Sequence, residues 1–200
     1  DDERMDDVVQ ARGCAERCAG AVPGGGQRAS GAGRADGGDE RPAGGRDAAG
    51  APRFDQPVVP GGYLWWYVDA LSDDGQHGLS IIAFVGSVFS PYYAWARRRA
   101  AGGGALADPE DFCAINVCLY GAAGKRWTMT ERGRRHMRRS AHEFVVGPSS
   151  LRWDGAALTL DLDEIGAPIP RRVRGRVRVH PAGLSRFLTR LDDGGAHRWG

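Results

Sequence analysis

The chain has 200 residues, of which 27 are basic and 25 acidic, and its net charge of +2 is too small to require a nucleic-acid or membrane partner. No stretch of about 18 apolar residues is present, which excludes a membrane-spanning helix. The acidic start DDERMDDVVQ has no apolar core and no initiator Met, so we expect no signal peptide and a processed, partial or mis-started reading frame.

Residues 1–52 are predicted to form a disordered, low-complexity extension. The 31 glycines and 11 prolines make up more than a fifth of the chain, and the glycines concentrate in this segment. Because the segment has no sustained apolar periodicity, it cannot bury enough apolar surface to offset the entropy lost on ordering. Residues 53–200 are long enough for one domain with its own core.

The stretch 61–91 has the pattern of a β-hairpin, with two apolar runs joined by a polar, glycine-bearing turn at 72–78. In the first run, a side-chain period of two puts Trp65, Tyr67 and Asp69 on one face and Trp66 on the other. The second run, 79–89, is apolar on both faces, which predicts a central strand.

One short helix and several strands follow the hairpin. Proline at position 91 and arginines at 97–99 predict a helix over 92–99, ended by glycines at 102–104. Strands are predicted at 112–120, 125–132, 143–147 with 151–153, 157–165, 173–180 and 184–191. Such short strands at regular spacing predict an all-β antiparallel sandwich or barrel.

The four cysteines are expected to be free thiols. Cys113 and Cys118 are five residues apart in a predicted strand, so they point to opposite faces and cannot bridge each other. Cys14 and Cys18 lie in the extension. Without Cys-x-x-Cys or His-x-x-x-His pairs, the sequence predicts no zinc site, and we expect neither a metal nor a cofactor.

Asp69 is the first candidate for a catalytic acid. A carboxyl group held among aromatic rings such as Trp65 and Tyr67 has its pKa raised by desolvation, and can act as a general acid near neutral pH. Aromatic faces also stabilise a developing cation, so this pattern suits acid-initiated carbocation chemistry. The alternative is that Asp69 fixes the following turn by bonding to the backbone of Ser72 or Asp73.

Glu131 is the second candidate acid. In the predicted strand 125–132 it shares a face with Trp127 and Met129. The alternative for Glu131 is an ion pair with a neighbouring arginine.

Several segments carry a resemblance to a known family. They are FDQPV (54–58), PGGY (60–63), WWYVDALS (65–72), IIAFVGSVFSPYY (81–93), NV (116–117), LYG (119–121), MTER (129–132) and WDG (153–155). Over about 54–199 the chain resembles the N-terminal half of the acyclic carotenoid 1,2-hydratases, also called hydroxyneurosporene synthases.

The resemblance implies an enzyme of carotenoid biosynthesis in phototrophic bacteria. Members of the family add water to the terminal C1–C2 double bond of acyclic carotenoids such as neurosporene and lycopene, without an organic cofactor. The implied fold is lipocalin-like with two β-barrel-type halves, of which residues 53–200 would be the first. Since the second half is missing from this chain, its activity alone is open, and a non-catalytic lipocalin-type carrier of an apolar ligand or an inactive remnant is the alternative.

A carotenoid substrate gives the aromatic and basic residues candidate roles. Aromatic side chains are predicted to bind the polyene, the alternative being ordinary core packing; they are Trp65, Trp66, Tyr67, Phe89, Tyr92, Tyr93 and Trp127. The predicted strand 173–180 presents Arg174, Arg176 and Arg178 on one face, either solvated or touching a membrane from which substrate is collected. Nucleic-acid binding is a further alternative. The expected location is cytoplasmic and peripheral to the inner or photosynthetic membrane.

Overall fold

The structure is a computed structural model that describes residues 4–5, 10–11, 15–20, 51–122, 124–184, 189–191, 193 and 197–199. Within these ranges no helix is long and apolar enough to span a membrane. The elements are β1 (Arg4–Met5), β2 (Gln10–Ala11), β3 (Ala15–Gly20), β4 (Tyr63–Leu71), β5 (Gly78–Val85), α1 (Pro91–Ala101), β6 (Cys113–Tyr120), β7 (Arg126–Arg132), β8 (Met137–Arg139), β9 (Glu143–Val146), β10 (Ser149–Trp153), β11 (Leu158–Ile165), β12 (Arg172–Val179), β13 (Thr189–Arg190) and β14 (His197–Trp199).

Two seven-stranded sheets make up the fold. Sheet 1 has the order β13-β14-β3-β4-β5-β6-β7, and all its neighbours are antiparallel. Sheet 2 has the order β1-β12-β11-β10-β9-β8, antiparallel except that β1 and β2 both run parallel to β12. The predicted antiparallel β architecture with one helix is therefore confirmed. Over the described ranges neither sheet closes into a barrel, and the lipocalin-like description stays an expectation.

The core lies between the two sheets. From sheet 1, the alternation of β4 turns Leu64, Trp66 and Val68 inward, where each is at most 4% exposed. The ring of Trp66 lies 4.9 Å from Phe54 and 5.3 Å from Phe144 of sheet 2, measured between ring centroids. Large side chains buried in this way contribute about 1.5–3 kcal/mol each to the hydrophobic stabilisation.

Helix α1 is fixed to the open end of the hairpin, where β4 begins and β5 ends. The Oγ of Ser90 accepts a hydrogen bond from the backbone N–H of Tyr93 at 3.0 Å, which caps the helix before its N1 proline. The hydroxyl of Tyr93 donates to the carbonyl of Gly62 at 2.5 Å. At Gly86, which has φ of 72°, a Cβ would lie 2.6 Å from that same carbonyl oxygen. Only glycine permits this close approach.

A buried ion pair joins the sheets. Glu164 of β11 has no exposed surface, and its Oε2 lies 3.1 Å from Nη1 of Arg132 on β7. The hydroxyl of Ser149 donates to Glu164 Oε1 at 2.7 Å. Gly147 makes room for the arginine, because a Cβ there would lie 2.2 Å from Arg132 Nε. We call this group of side chains, Arg132, Glu164 and Ser149, the clasp.

Most predicted strands are present, with three differences. The turn between β9 and β10 falls at 147–148 rather than 148–150, and β8 and β14 were not predicted. The short strands β1, β2 and β3 lie within the predicted disordered extension, where they pair with β12 and β4 through backbone hydrogen bonds that need no apolar side chains. The other residues of 1–50, and 185–188 of the strand predicted at 184–191, lie outside the described residues.

Candidate functional site

Strands β4 to β7 share one outer face, on the side of sheet 1 away from sheet 2. Paired residues of an antiparallel ladder point to the same side, so the register arranges this face in three rows. The rows are Trp65-Phe84-Ala114-Glu131, Tyr67-Ile82-Asn116-Met129 and Asp69-Ser80-Cys118-Trp127. We call this surface the outer face. It contains both candidate acids and three of the predicted aromatic residues.

The outer face is covered at one end and open at the other. At the covered end Phe84 is fully buried, with the ring of Phe89 5.4 Å away and that of Trp65 5.8 Å away, both edge-on. At the open end Asp69 is exposed and Trp127 is 43% exposed. The segment that leads into α1 therefore shields the first row from water and leaves the third row accessible.

Glu131 lies in the covered row, where its carboxyl group is partly desolvated. Its Oε2 is buried with no hydrogen-bond partner among the described residues. Burial raises the pKa of the Glu131 carboxyl, and a hydrogen bond from the Ser90 side chain acts in the opposite direction. Since the Ser90 oxygen already accepts from Tyr93, its hydroxyl proton is free for this bond. A partly desolvated carboxyl group of this kind can hold a proton for donation.

The arginine partner predicted as the alternative for Glu131 is engaged elsewhere. Arg132 follows Glu131 in β7, and the alternation of the strand sends its guanidinium to the other face, where it belongs to the clasp. Over the described part of the chain no arginine forms an ion pair with Glu131.

Asp69 has a different environment. It is exposed, and its Oδ1 accepts a hydrogen bond of 2.5 Å from the hydroxyl of Ser80 on β5. The turn that Asp69 was alternatively expected to fix is held by Asp74, whose Oδ1 accepts from the Ser72 hydroxyl at 2.5 Å and from the Gln76 N–H at 2.9 Å. Neither predicted environment, the desolvated acid or the turn anchor, describes Asp69.

The two candidate acids are too far apart to act on one atom. Asp69 and Glu131 are separated by three strand spacings across the sheet and by four residues along β7. These steps correspond to about 14 Å and about 13 Å, or about 19 Å in all. A reaction centred on one of them would not touch the other.

The predicted polyene-binding residues divide into three groups. Trp65, Tyr67 and Trp127 lie on the outer face, and Phe89 packs against it. Trp66 points the other way into the core, and its indole N–H donates to the carbonyl of residue 53. The two tyrosines of α1 differ from one another: Tyr93 is 1% exposed, and burial raises its pKa to about 12, while Tyr92 is 69% exposed.

Some residues of the outer face were not selected from the sequence. Asn116 is 4% exposed and accepts from the Cys118 thiol, and Ser90 reaches Glu131 from the helix cap. The Ser-Pro pair at 90–91 signals a cap, but the contact with Glu131 is long-range and leaves no local pattern. The predicted free thiols at 113 and 118 are confirmed on opposite faces, and burial raises the pKa of Cys113 to about 12.

On the arginine face of β12, two of the three arginines form ion pairs with aspartates. Arg176 Nε lies 2.6 Å from Asp161, and Arg178 Nη2 lies 3.0 Å from Asp154. Arg174 stands opposite Asp163 in the ladder, but the Asp163 carboxylate is bonded to Arg172, with Nη2 and Oδ2 2.6 Å apart. In the part of the chain that the structure describes, no group of three or more His, Cys, Asp or Glu residues could hold a metal ion.

The fold and the outer face define an antiparallel β-sheet protein with an aromatic sheet face around a partly buried carboxyl group. A family model described as carotenoid hydratase CrtC matches residues 81–200. The chain belongs to this family.

Similar proteins from three bacteria have a name that matches the family. The chain is 70% identical over 199 residues to the acyclic carotenoid 1,2-hydratase of Rubrivivax gelatinosus, covering 100% of this chain and 48% of the relative. The protein of that name from Thiocapsa roseopersicina is 57% identical over 196 residues, covering 98% of this chain and 47% of the relative. That from Rhodobacter capsulatus is 42% identical over 120 residues, or 60% of this chain and 40% of the relative. No solved structure matches.

The coverage has two consequences. The chain spans about half the length of the first two relatives, corresponding to their N-terminal half. Both matches also include almost all of residues 1–52, so the resemblance is not limited to 54–199 as predicted. The glycine-rich segment therefore lies within the region aligned with these relatives.

Proposed function

We propose that residues 53–200 are the N-terminal β domain of an enzyme that adds water to the terminal C1–C2 double bond of acyclic carotenoids, of the neurosporene or lycopene type. The observation that carries the proposal is the 70% identity, over the whole chain, to a protein named acyclic carotenoid 1,2-hydratase. The outer face supports it, because its apolar and aromatic side chains suit a hydrocarbon.

In the proposed reaction Glu131 is the acid that this chain contributes. Its proton is transferred to C2 of the terminal alkene, which leaves a tertiary carbocation at C1. A nearby aromatic face, for which Phe89 beside Ser90 is the candidate, stabilises that cation by about 1–2 kcal/mol. Water then adds to C1 and returns a proton to the carboxylate, giving the tertiary alcohol. The raised pKa of Glu131 and its unpartnered Oε2 support this assignment over Asp69.

The test uses this chain fused to the C-terminal half of the Rubrivivax gelatinosus relative, incubated with lycopene in lipid vesicles. Mass spectrometry should detect products heavier by one or two waters. Glu131→Gln should lower kcat by about 10²–10⁴-fold, the usual contribution of a positioned acid. Asp69→Asn is the matched control and should leave kcat within a few-fold, because Asp69 is exposed and far from Glu131.

The results distinguish a wrong choice of proton donor from a wrong proposed function. Full activity of a folded Glu131→Gln fusion would move the proton donor out of this chain and leave it one wall of the binding site. Carotenoid bound without chemical change by every version, the unmutated fusion included, would overturn the hydratase proposal in favour of a non-catalytic carrier.

A further inference from the structure

An exposed aromatic and cationic surface surrounds α1. Its members are unusually accessible for apolar side chains, with exposed fractions of 56% at Phe89, 69% at Tyr92, 57% at Trp95 and 72% at Leu106. Arginines 98 and 99 are exposed beside them. We call these six residues the helix surface: Phe89, Tyr92, Trp95, Arg98, Arg99 and Leu106.

Helical geometry brings the central members together. Trp95 is three residues after Tyr92, and Arg98 and Arg99 follow Trp95 by three and four residues, so all four lie on one side of the helix. The opposite side contains the buried Tyr93, whose hydroxyl is bonded to Gly62. The helix is therefore anchored from behind and presents these side chains outward.

The arginines of the helix surface lack acidic partners. Arg98 and Arg99 form no ion pair within the described ranges, and the Arg99 guanidinium lies over the Trp95 ring, 4.8 Å from its centroid. By contrast, three arginines of β12 form ion pairs with aspartates, such as the pair of Arg176 and Asp161 at 2.6 Å. Positive charge without an acidic partner is thus greater at α1, with two such arginines, than on β12, where Arg174 has no ion pair within the described ranges.

We propose that the helix surface docks onto a lipid bilayer that carries anionic headgroups. Trp and Tyr combine an apolar ring with a polar group, which is the combination enriched where protein meets the membrane interface. Unpaired arginines are attracted to anionic headgroups and can keep their charge in the polar layer while their stems lie along apolar surface. A short helix with both features lies in the plane of the interface rather than crossing it.

The position of the helix surface also relates it to the outer face. The Phe89 ring contacts Phe84 of the covered row at 5.4 Å, and Ser90, next in the chain, bonds to Glu131. An apolar molecule leaving the bilayer at Phe89 would next meet the covered end of the outer face. This part of the inference rests on the proposed function, whereas docking itself does not.

Flotation of the chain with vesicles tests docking without turnover. Phosphatidylcholine vesicles are compared with vesicles that also contain phosphatidylglycerol, at low and high salt. Arg98→Gln and Arg99→Gln should each lower partitioning onto the anionic vesicles by about fivefold. Trp95→Ser should lower partitioning onto both kinds of vesicle by about tenfold. Salt should weaken binding of the unmutated chain and have less effect on the double arginine variant.

The matched control replaces arginines of β12. Arg176→Gln with Arg178→Gln removes the same charge from arginines that have ion pairs and should change partitioning by less than twofold. All substituted side chains are exposed, and far-UV circular dichroism verifies folding. Equal partitioning of the α1 variants and the unmutated chain, or loss confined to the β12 variant, overturns the proposal. So does a concentration-dependent dimer that Trp95→Ser abolishes while no vesicles are bound. Docking that is lost in the α1 variants supports it even if no hydratase activity is found.

Discussion

Two glutamates on opposite sides of strand β7 differ in how far they are buried and in how many hydrogen-bond partners they have. Glu164 is completely buried, yet both its oxygens are bonded, to Arg132 and to Ser149. Glu131 is less buried, and one of its oxygens has no partner among the described residues. The difference teaches that burial alone does not distinguish a structural carboxylate from an available one. The number of partners does, because a bonded charge is held in place while an unpartnered one favours its neutral form.

Breaking the clasp should have the largest effect. Glu164→Gln removes the buried charge that neutralises Arg132, which should lower the free energy of unfolding by about 3–5 kcal/mol. Denaturant unfolding followed by circular dichroism measures this change. Glu131→Gln is the matched control on the other face and should change stability far less. The double substitution Arg132→Met with Glu164→Leu should recover most of the loss, since apolar replacements of a buried pair are often neutral or stabilising. Equal losses of unfolding free energy in Glu164→Gln and Glu131→Gln would contradict the conclusion that Glu164 is the structural carboxylate of the two.

A substitution at Thr128 is expected to raise the free energy of unfolding, by less than breaking the clasp lowers it. Its hydroxyl is fully buried on β7 and has no hydrogen-bond partner among the described residues. Thr128→Val should therefore raise the free energy of unfolding by about 1 kcal/mol, because it removes an unsatisfied group while preserving shape. Ser149→Ala is the control, since the Ser149 hydroxyl is bonded to Glu164 and to the Asp163 N–H, and its loss should destabilise. A destabilised Thr128→Val would show that the hydroxyl does have a partner.

The smallest effect concerns the pH dependence of stability. Because the folded-state pKa of Glu131 is raised above its ordinary value of 4.5, the folded chain holds this proton more tightly than the unfolded chain does. The stability that this preference contributes is complete below pH 4.5 and is lost as the pH rises through the folded pKa. The unmutated chain should thus lose stability relative to Glu131→Gln over that window. Unfolding curves of both proteins at a series of pH values measure the difference, and a difference that does not vary with pH would refute the raised pKa.

The composition of the outer face was largely predictable, because side-chain alternation is a local property. A period of two was enough to group Trp65, Tyr67 and Asp69, and separately Trp127 and Glu131. The register that puts these groups on one surface depends on pairing between strands, which is non-local.

The environment of each acid was not predictable for the same reason. Asp69 has aromatic neighbours in sequence, but its cross-strand neighbour is Ser80 and its end of the sheet is open. Glu131 was expected to meet an arginine, yet its chain neighbour Arg132 points to the opposite face. What shields Glu131 is the segment that precedes α1, and no local pattern connects Ser90 to a strand so far along the chain.

The order of the strands has a consequence for how the chain folds. From β4 to β7, and again from β8 to β12, every strand pairs with the next one in the sequence. These two stretches, 63–132 and 137–179, are thus meanders whose hydrogen bonds close short loops, except between β5 and β6, where α1 intervenes, and short loops favour rapid formation. Each meander can form as it leaves the ribosome, while the first strands, β1 and β2, must wait until β12 near the other end has been synthesised.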